Sequence, residues 1–110
     1  MNMTVEQLAE SMGFTAIILP DKSREVCGAY VGDLLSWVMG RASSDNAWIT
    51  IMSNLNVIAV ATLTDVSCVI FAEGVIHDEE LIEVAKSKGV NLLTSKTSSY
   101  DTAVALSRLI

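Results

Sequence analysis

The stretch Thr94-Ser95-Lys96-Thr97-Ser98 offers the densest chemistry in the chain: hydroxyls flanking a single ammonium group. Ser98, with Asp101 three residues later, has the spacing of a helix N-cap. The unpaired N–H groups of a first helical turn attract negative charge, so Ser95, Lys96, Thr97 and Ser98 form a candidate anion site. Read structurally, the same residues are a solvated loop ahead of a helix. Asp33 follows Gly32 at the end of an apolar run and is either a helix cap, with Ser36 at the third helical position, or a cleft residue. Asn54 and Asn56 precede an uncharged segment and can either cap a buried helix or touch a ligand. Glu73 and Gly74 close another apolar run.

Reaction chemistry is harder to assemble. His77 is the single histidine, so neither a His-based metal set nor a triad has a second imidazole to draw on. Cys27, Cys68 and His77 fall in separate elements, without ligand spacing. The two thiols sit in apolar strands and read as buried and reduced. A phosphate-wrapping loop of the form GxxxxGK[ST] is missing. No nucleophile–base pair can be named and no metal or cofactor is expected, which leaves an enzyme the weakest alternative.

If the candidates act together, a sheet must gather them. The chain is organised around Ala47 to Ala72, a segment holding a single acid, Asp65, and no base. Trp48 to Met52 and Ser67 to Phe71 read as buried strands. Asn56 to Leu63 between them has the length of a crossover helix, although Val57, Ile58 and Val60 also favour a strand. Upstream, Thr4 and Gln7 have capping-box spacing, and a helix follows to Gly13. Phe14 to Leu19 and Val26 to Val31 read as strands, joined by the polar loop Asp21 to Glu25. Asp33 would cap a helix that Gly40 ends. Downstream, Asp78, Glu79 and Glu80 open a helix that Lys86 and Lys88 close before Gly89, an order matched to the helix dipole. Val90 to Leu93 is a last strand, and the Ser98 helix runs to about Leu109.

Strands alternating with helices predict an α/β fold: a single three-layer α/β/α domain over residues 1–110, with a mostly parallel sheet of about five strands. If all strands run the same way, their C-terminal ends bring Asp33, Asn54, Asn56, Glu73, Gly74, Ser95, Lys96, Thr97 and Ser98 to one edge. Ligands of open α/β sheets bind there.

Totals bound the partners. A chain of 110 residues holds one core. Its net charge of −6, with seven scattered Lys and Arg, argues against nucleic acid. Hydrophobic residues make up 51% and mean hydropathy is +0.46, yet Asn54, Asn56 and Asp65 break up the best membrane-span candidate. The opening MNMTVEQLAESMG has neither the basic start nor the apolar core of a secretory signal, which predicts a cytoplasmic protein. The excess apolar surface predicts an oligomer. A helix over Val57 to Leu63 would be apolar on every face, and a second copy, meeting a patch around Val60, is the natural cover. Trp37 and Trp48 read as core or interface.

The segments Tyr30 to Met39 (YVGDLLSWVM), Trp48-Ile49-Thr50, Asn56 to Ala61 (NVIAVA) and Glu73-Gly74 resemble the small stand-alone DRTGG-domain proteins of bacteria and archaea, over nearly the whole chain. Related domains resemble the N-terminal domain of HPr kinase/phosphorylase. The resemblance implies a layered α/β/α domain, often dimeric, with a regulatory or ligand-sensing role, and a protein partner in a hydrogenase or signalling pathway. The family's Thr-Gly-Gly falls on Ala72-Glu73-Gly74, where one glycine is kept, and its Asp-Arg pair falls near Asn54-Leu55, without a match. The expected function is therefore non-catalytic sensing of a small anionic or nucleotide-like effector at the sheet edge. The alternative is a homodimeric interaction module without a small-molecule ligand.

Overall fold

The strands β3 (Ala47–Thr50) and β4 (Cys68–Phe71) are buried at every residue. Side chains alternate across a strand, so Trp48, Val69 and Phe71 enter one apolar cluster while Ala47, Ile49, Cys68 and Ile70 enter another. A pair buried on both faces must be central. In the computed structural model, which describes residues 2–110, the sheet runs β1-β5-β4-β3-β2, with β1 (Thr15–Ile18), β2 (Ala29–Val31) and β5 (Leu92–Thr94) outside that pair.

The pairs β2–β3, β3–β4 and β4–β5 are parallel. Their crossovers are α2 (Leu35–Arg41), α3 (Leu55–Thr64) and α4 (Glu79–Lys88). All three cover one face, through Val38, Val57, Ile58, Val60, Leu81 and Ala85. Helices α1 (Val5–Met12) and α5 (Ser99–Ser107) cover the other, through Val5, Leu8, Ala9 and Leu106. This is the three-layer α/β/α domain that the pattern predicts. Burying each aliphatic side chain contributes roughly 1.5–3 kcal/mol; the α2–α3–α4 cluster reaches all five strands, while the other is centred on β3, β4 and β5.

Caps formed where the spacing places them. Thr4 and Gln7 make a reciprocal capping box, Asp78 accepts from Leu81 N at 2.9 Å, and Ser98 accepts from Asp101 N at 3.0 Å. Gly13 and Gly89 end their helices with left-handed φ of 69° and 72°.

Other expectations are corrected. β1 runs antiparallel to β5, pairing Thr15 with Thr94. The polar 21–25 loop follows β1 in place of a crossover helix, so nothing obliges β1 to share the others' direction. Only Ala29–Val31 of the second predicted strand pairs with β3; Val26 is buried beside α1, and Cys27 is exposed instead of buried. Asp33 does not cap α2: the cap position is Leu34, without a side-chain bond, and the helix passes through Gly40 to Arg41. Asp33 Oδ1 accepts instead from Thr50 Oγ1 and Ile51 N, both at 2.8 Å, because the end of the neighbouring strand lies beside it. Asn54, not Asn56, caps α3, accepting from Asn56 N at 2.9 Å. Val60 faces the sheet at 6% exposure, and the outward side of α3 is Leu55, Asn56, Ala59, Thr62 and Leu63. Trp48 is core, whereas Trp37 is half exposed, with the Arg41 guanidinium 3.9 Å above its ring.

The edge of the sheet where β3, β4 and β5 begin is closed by polar bonds. Asn91 Oδ1 accepts from Asp21 N at 2.9 Å, and its Nδ2 donates to the carbonyls of Asp21 and Ser67 at 2.8 and 2.9 Å. Ser67 Oγ donates to the carbonyls of Glu25 and Asp45. Arg24 pairs with Asp45 and Asp65, both at 2.9 Å. The 21–25 loop is therefore a strap and not a free turn.

Asn54→Ala should cost about 0.5–2 kcal/mol in equilibrium urea unfolding, the range for losing a side-chain cap, while Asn56→Ala should leave the midpoint nearly unchanged. A second expectation concerns acid. The Ser44 hydroxyl, then Arg24, hold the Asp65 carboxyl below its ordinary range. A depressed carboxyl contributes stability above its unfolded-state pKa and loses it as pH falls through the folded one. The urea midpoints of wild type and Asp65→Asn should therefore differ near neutral pH and converge towards a constant offset below the carboxylate range. A pH-independent difference would show that the ion pair contributes nothing.

Candidate functional site

Because β2 to β5 are parallel, their C-terminal ends share one edge, and antiparallel β1 starts there. The edge holds a cleft of about 590 Å³. One wall is the joint between α1 and β1, comprising Met12, Gly13, Phe14 and Thr15. The other is the β5–α5 loop, Thr94 to Thr97, with Asp101, Thr102 and Ala105 of α5.

Beneath the loop, three hydroxyls form a ring. Ser95 Oγ lies 2.9 Å from Thr97 Oγ1 and 3.0 Å from Thr102 Oγ1, and the two threonine oxygens are 2.9 Å apart. Each O–H can donate to the next, so Ser95 and Thr102, at 4% and 1% exposure, stay satisfied although buried. The ring fixes the loop and leaves Lys96 and Thr97 exposed at the cleft. Ser98 is spent on capping α5. The loop is also braced from the side: Glu73 N–H donates to the Thr97 carbonyl at 2.8 Å and Gly74 N–H to the Ser95 carbonyl at 3.0 Å. Glu73 and Gly74 both adopt left-handed backbone, with φ of 63° and 62°.

Of the residues singled out from the sequence, Ser95, Lys96 and Thr97 line the cleft and Glu73 and Gly74 brace it. Ser98 stands behind it. Asp33, Asn54 and Asn56 belong to the β2 and β3 ends of the same edge. β3 lies two strand spacings from β5, roughly 10 Å, and β2 three, roughly 14 Å, and none of these residues lines the cleft with Lys96. Sequence reasoning missed the whole wall from Met12 to Thr15, which depends on the direction of β1. It also missed Thr102, whose signal was a hydroxyl one helical turn beyond the Ser98 cap, facing back to the sheet.

Other reactive groups lie elsewhere. Burial pushes the Cys68 thiol up to about 12, which makes it a poor nucleophile. His77 stands in the loop before α4, and its Nδ1 is buried without a hydrogen-bond partner among the described residues. No group of three or more His, Cys, Asp and Glu that could hold a metal occurs among the described residues, nor does a helix long and apolar enough to cross a membrane.

Comparison with known proteins bears on this edge. The family model described as HPr Serine kinase N terminus matches residues 50–110, from the end of β3 to the end of the chain. The match contains Glu73-Gly74 and the whole β5–α5 wall, but not α1 or β1. No curated protein matches. Among solved structures, the chain is similar to the crystal structure of the CBS and DRTGG domains of the regulatory region of Clostridium perfringens pyrophosphatase, complexed with its activator diadenosine tetraphosphate. The TM-score is 0.74 at 18% identity, over 97% of this chain and 45% of that one. At that identity the likeness is one of fold, and the chain spans less than half of that structure's length.

The paired left-handed residues give a physical reason for Gly-Gly in the motif that Ala72-Glu73-Gly74 resembles. A side chain there costs about 1–2 kcal/mol, against 0.5–1 kcal/mol of extra backbone entropy for glycine. Glu73→Gly should therefore stabilise the protein by up to about 1 kcal/mol in urea unfolding. A destabilised variant would mean that the Glu73 side chain contributes more than its backbone costs.

Proposed function

The chain belongs to the family of HPr Serine kinase N-terminal domains, and we propose from that membership and from the cleft that it is a non-catalytic regulatory domain binding a small anionic or nucleotide-like effector. The observation that carries this is the division of the cleft walls. Lys96 offers a charge to phosphate oxygens at the entrance of α5, on a loop that the hydroxyl ring holds in place. The half-buried Met12 and Phe14, with Ala105, offer an apolar surface suited to a base. Asp101 can accept from sugar hydroxyls or amino groups but repels phosphate, so it orients an anion towards Lys96.

The same geometry supports binding over turnover. The hydroxyls of Ser95, Thr97 and Thr102 bond to one another and to no imidazole or carboxylate, so none has an adjacent base to activate it. The structural neighbour adds support of its own kind, since it is a regulatory region complexed with a dinucleotide activator.

Thermal-shift measurements with diadenosine tetraphosphate, ATP, pyrophosphate and acyl-CoA, followed by calorimetric titration of the strongest hit, test this. The melting temperature should rise with ligand concentration, because a ligand that binds only the folded state stabilises it by mass action. Lys96→Glu should lower the affinity at least tenfold, the scale of one charge-assisted bond, and leave the melting temperature of the free protein within a degree or so. A flat response from wild type, or equal affinities for wild type and variant, would overturn the assignment.

A further inference from the structure

Two charged side chains line the cleft beside β5, and they have opposite signs: Lys96 on the loop and Asp101 in the first turn of α5. Among the described residues they form no ion pair with each other, so each is open to a ligand. Arg108, the next cation along α5, stands roughly 10 Å beyond Asp101 by helical rise and does not line the cleft. The hydroxyls of Ser95, Thr97 and Thr102 add no free donor, because they are turned on one another. The cleft therefore offers one positive charge, one strong acceptor and an apolar wall.

We infer, resting on the reading of this cleft as an effector site, that its ligand carries a single phosphate group and a sugar diol, as a nucleoside monophosphate does. Asp101 is then the residue that selects against longer phosphate chains. Charge sets the limit. One ammonium group compensates one phosphate, whereas each further phosphate meets the Asp101 carboxylate and a chain of net charge −6. An ionised carboxylate can only accept hydrogen bonds, so Asp101 is matched to hydroxyl donors instead, in charge-assisted bonds. Across the cleft the half-buried Phe14 and Met12 supply a ring face and an adaptable thioether, on which a base can lie. The volume of about 590 Å³ lies within the range of small-molecule sites. Phosphate at Lys96, diol at Asp101 and base on the apolar wall together use every kind of group that the cleft presents.

Calorimetric titration of the full chain without divalent cations is the test, with adenosine monophosphate, its 2′,3′-dideoxy analogue, ATP and diadenosine tetraphosphate as probes. At low salt the monophosphate should bind about tenfold more tightly than either polyphosphate, the scale of one charged interaction. That gap should narrow as salt rises, because salt screens the repulsion. The dideoxy analogue should bind about tenfold more weakly than the monophosphate. Asp101→Asn, checked for folding by far-UV circular dichroism, should shrink both differences. Silence from all four probes would overturn the effector reading itself, and this inference with it. A polyphosphate that binds as tightly as the monophosphate, and is lost in Lys96→Glu, would keep the effector site and overturn the inference alone. Preferences that persist unchanged in Asp101→Asn would overturn the selecting role of that carboxylate.

Discussion

The structure depends on the parallel pairing of β4 with both its neighbours. All four of its residues are fully buried, hydrogen-bonded to β3 on one side and β5 on the other, with helices over both faces. Parallel neighbours cannot be joined by a hairpin, so each strand must be followed by a crossover, and here α2, α3 and α4 supply the crossovers on a single face. From that one constraint the loops after β2, β3, β4 and β5 are delivered to the same edge. The candidate cleft is a consequence of strand direction before it is a consequence of any particular side chain.

The two edges of the sheet are then put to opposite uses. Where β3, β4 and β5 begin, Asn91, Ser67 and Arg24 bond to backbone and carboxylates and strap the 21–25 loop down. Polar groups that bond one another across an edge leave little with which to hold a ligand. At the far edge the hydroxyl ring of Ser95, Thr97 and Thr102 bonds inward, while Lys96, Asp101 and the apolar side chains of Met12 and Phe14 line open space. Satisfied buried polar atoms confer rigidity, and unsatisfied exposed ones are what a ligand can use.

Much of this was legible because it is local. The Thr4 capping box, the acid-to-base order from Asp78 to Lys88 and the Ser98 cap each depend on residues within a turn or two of one another, and each formed as spaced. What failed depended on a neighbour far along the chain. Asp33 has the type and position of a cap, but its carboxylate lies beside the end of β3 and bonds there. Asn54 and Asn56 differ by two positions, and only the entry angle of the chain decides which amide reaches a free N–H. Cys27 lies in an apolar run that pairs late, so it stays exposed. The direction of β1 left no local trace at all, and with it half of the cleft was invisible. Lys96 and its hydroxyls could be found from sequence, but the wall opposite them could not.

The brace between the loops ties the cleft wall to the chain that leads into α4. Glu73 and Gly74 donate to the Thr97 and Ser95 carbonyls, and the chain from Gly74 leads within a few residues to the Asp78 cap of α4. Helix α4 in turn supplies Val84 and Lys88 to a groove beside α3. The Ser95–Thr97 loop is therefore held by two backbone hydrogen bonds from residues in left-handed backbone, a few residues before the start of α4. The Glu73-Gly74 turn thus ties the loop of the cleft to the chain that enters α4, in a backbone conformation that is costly for a glutamate.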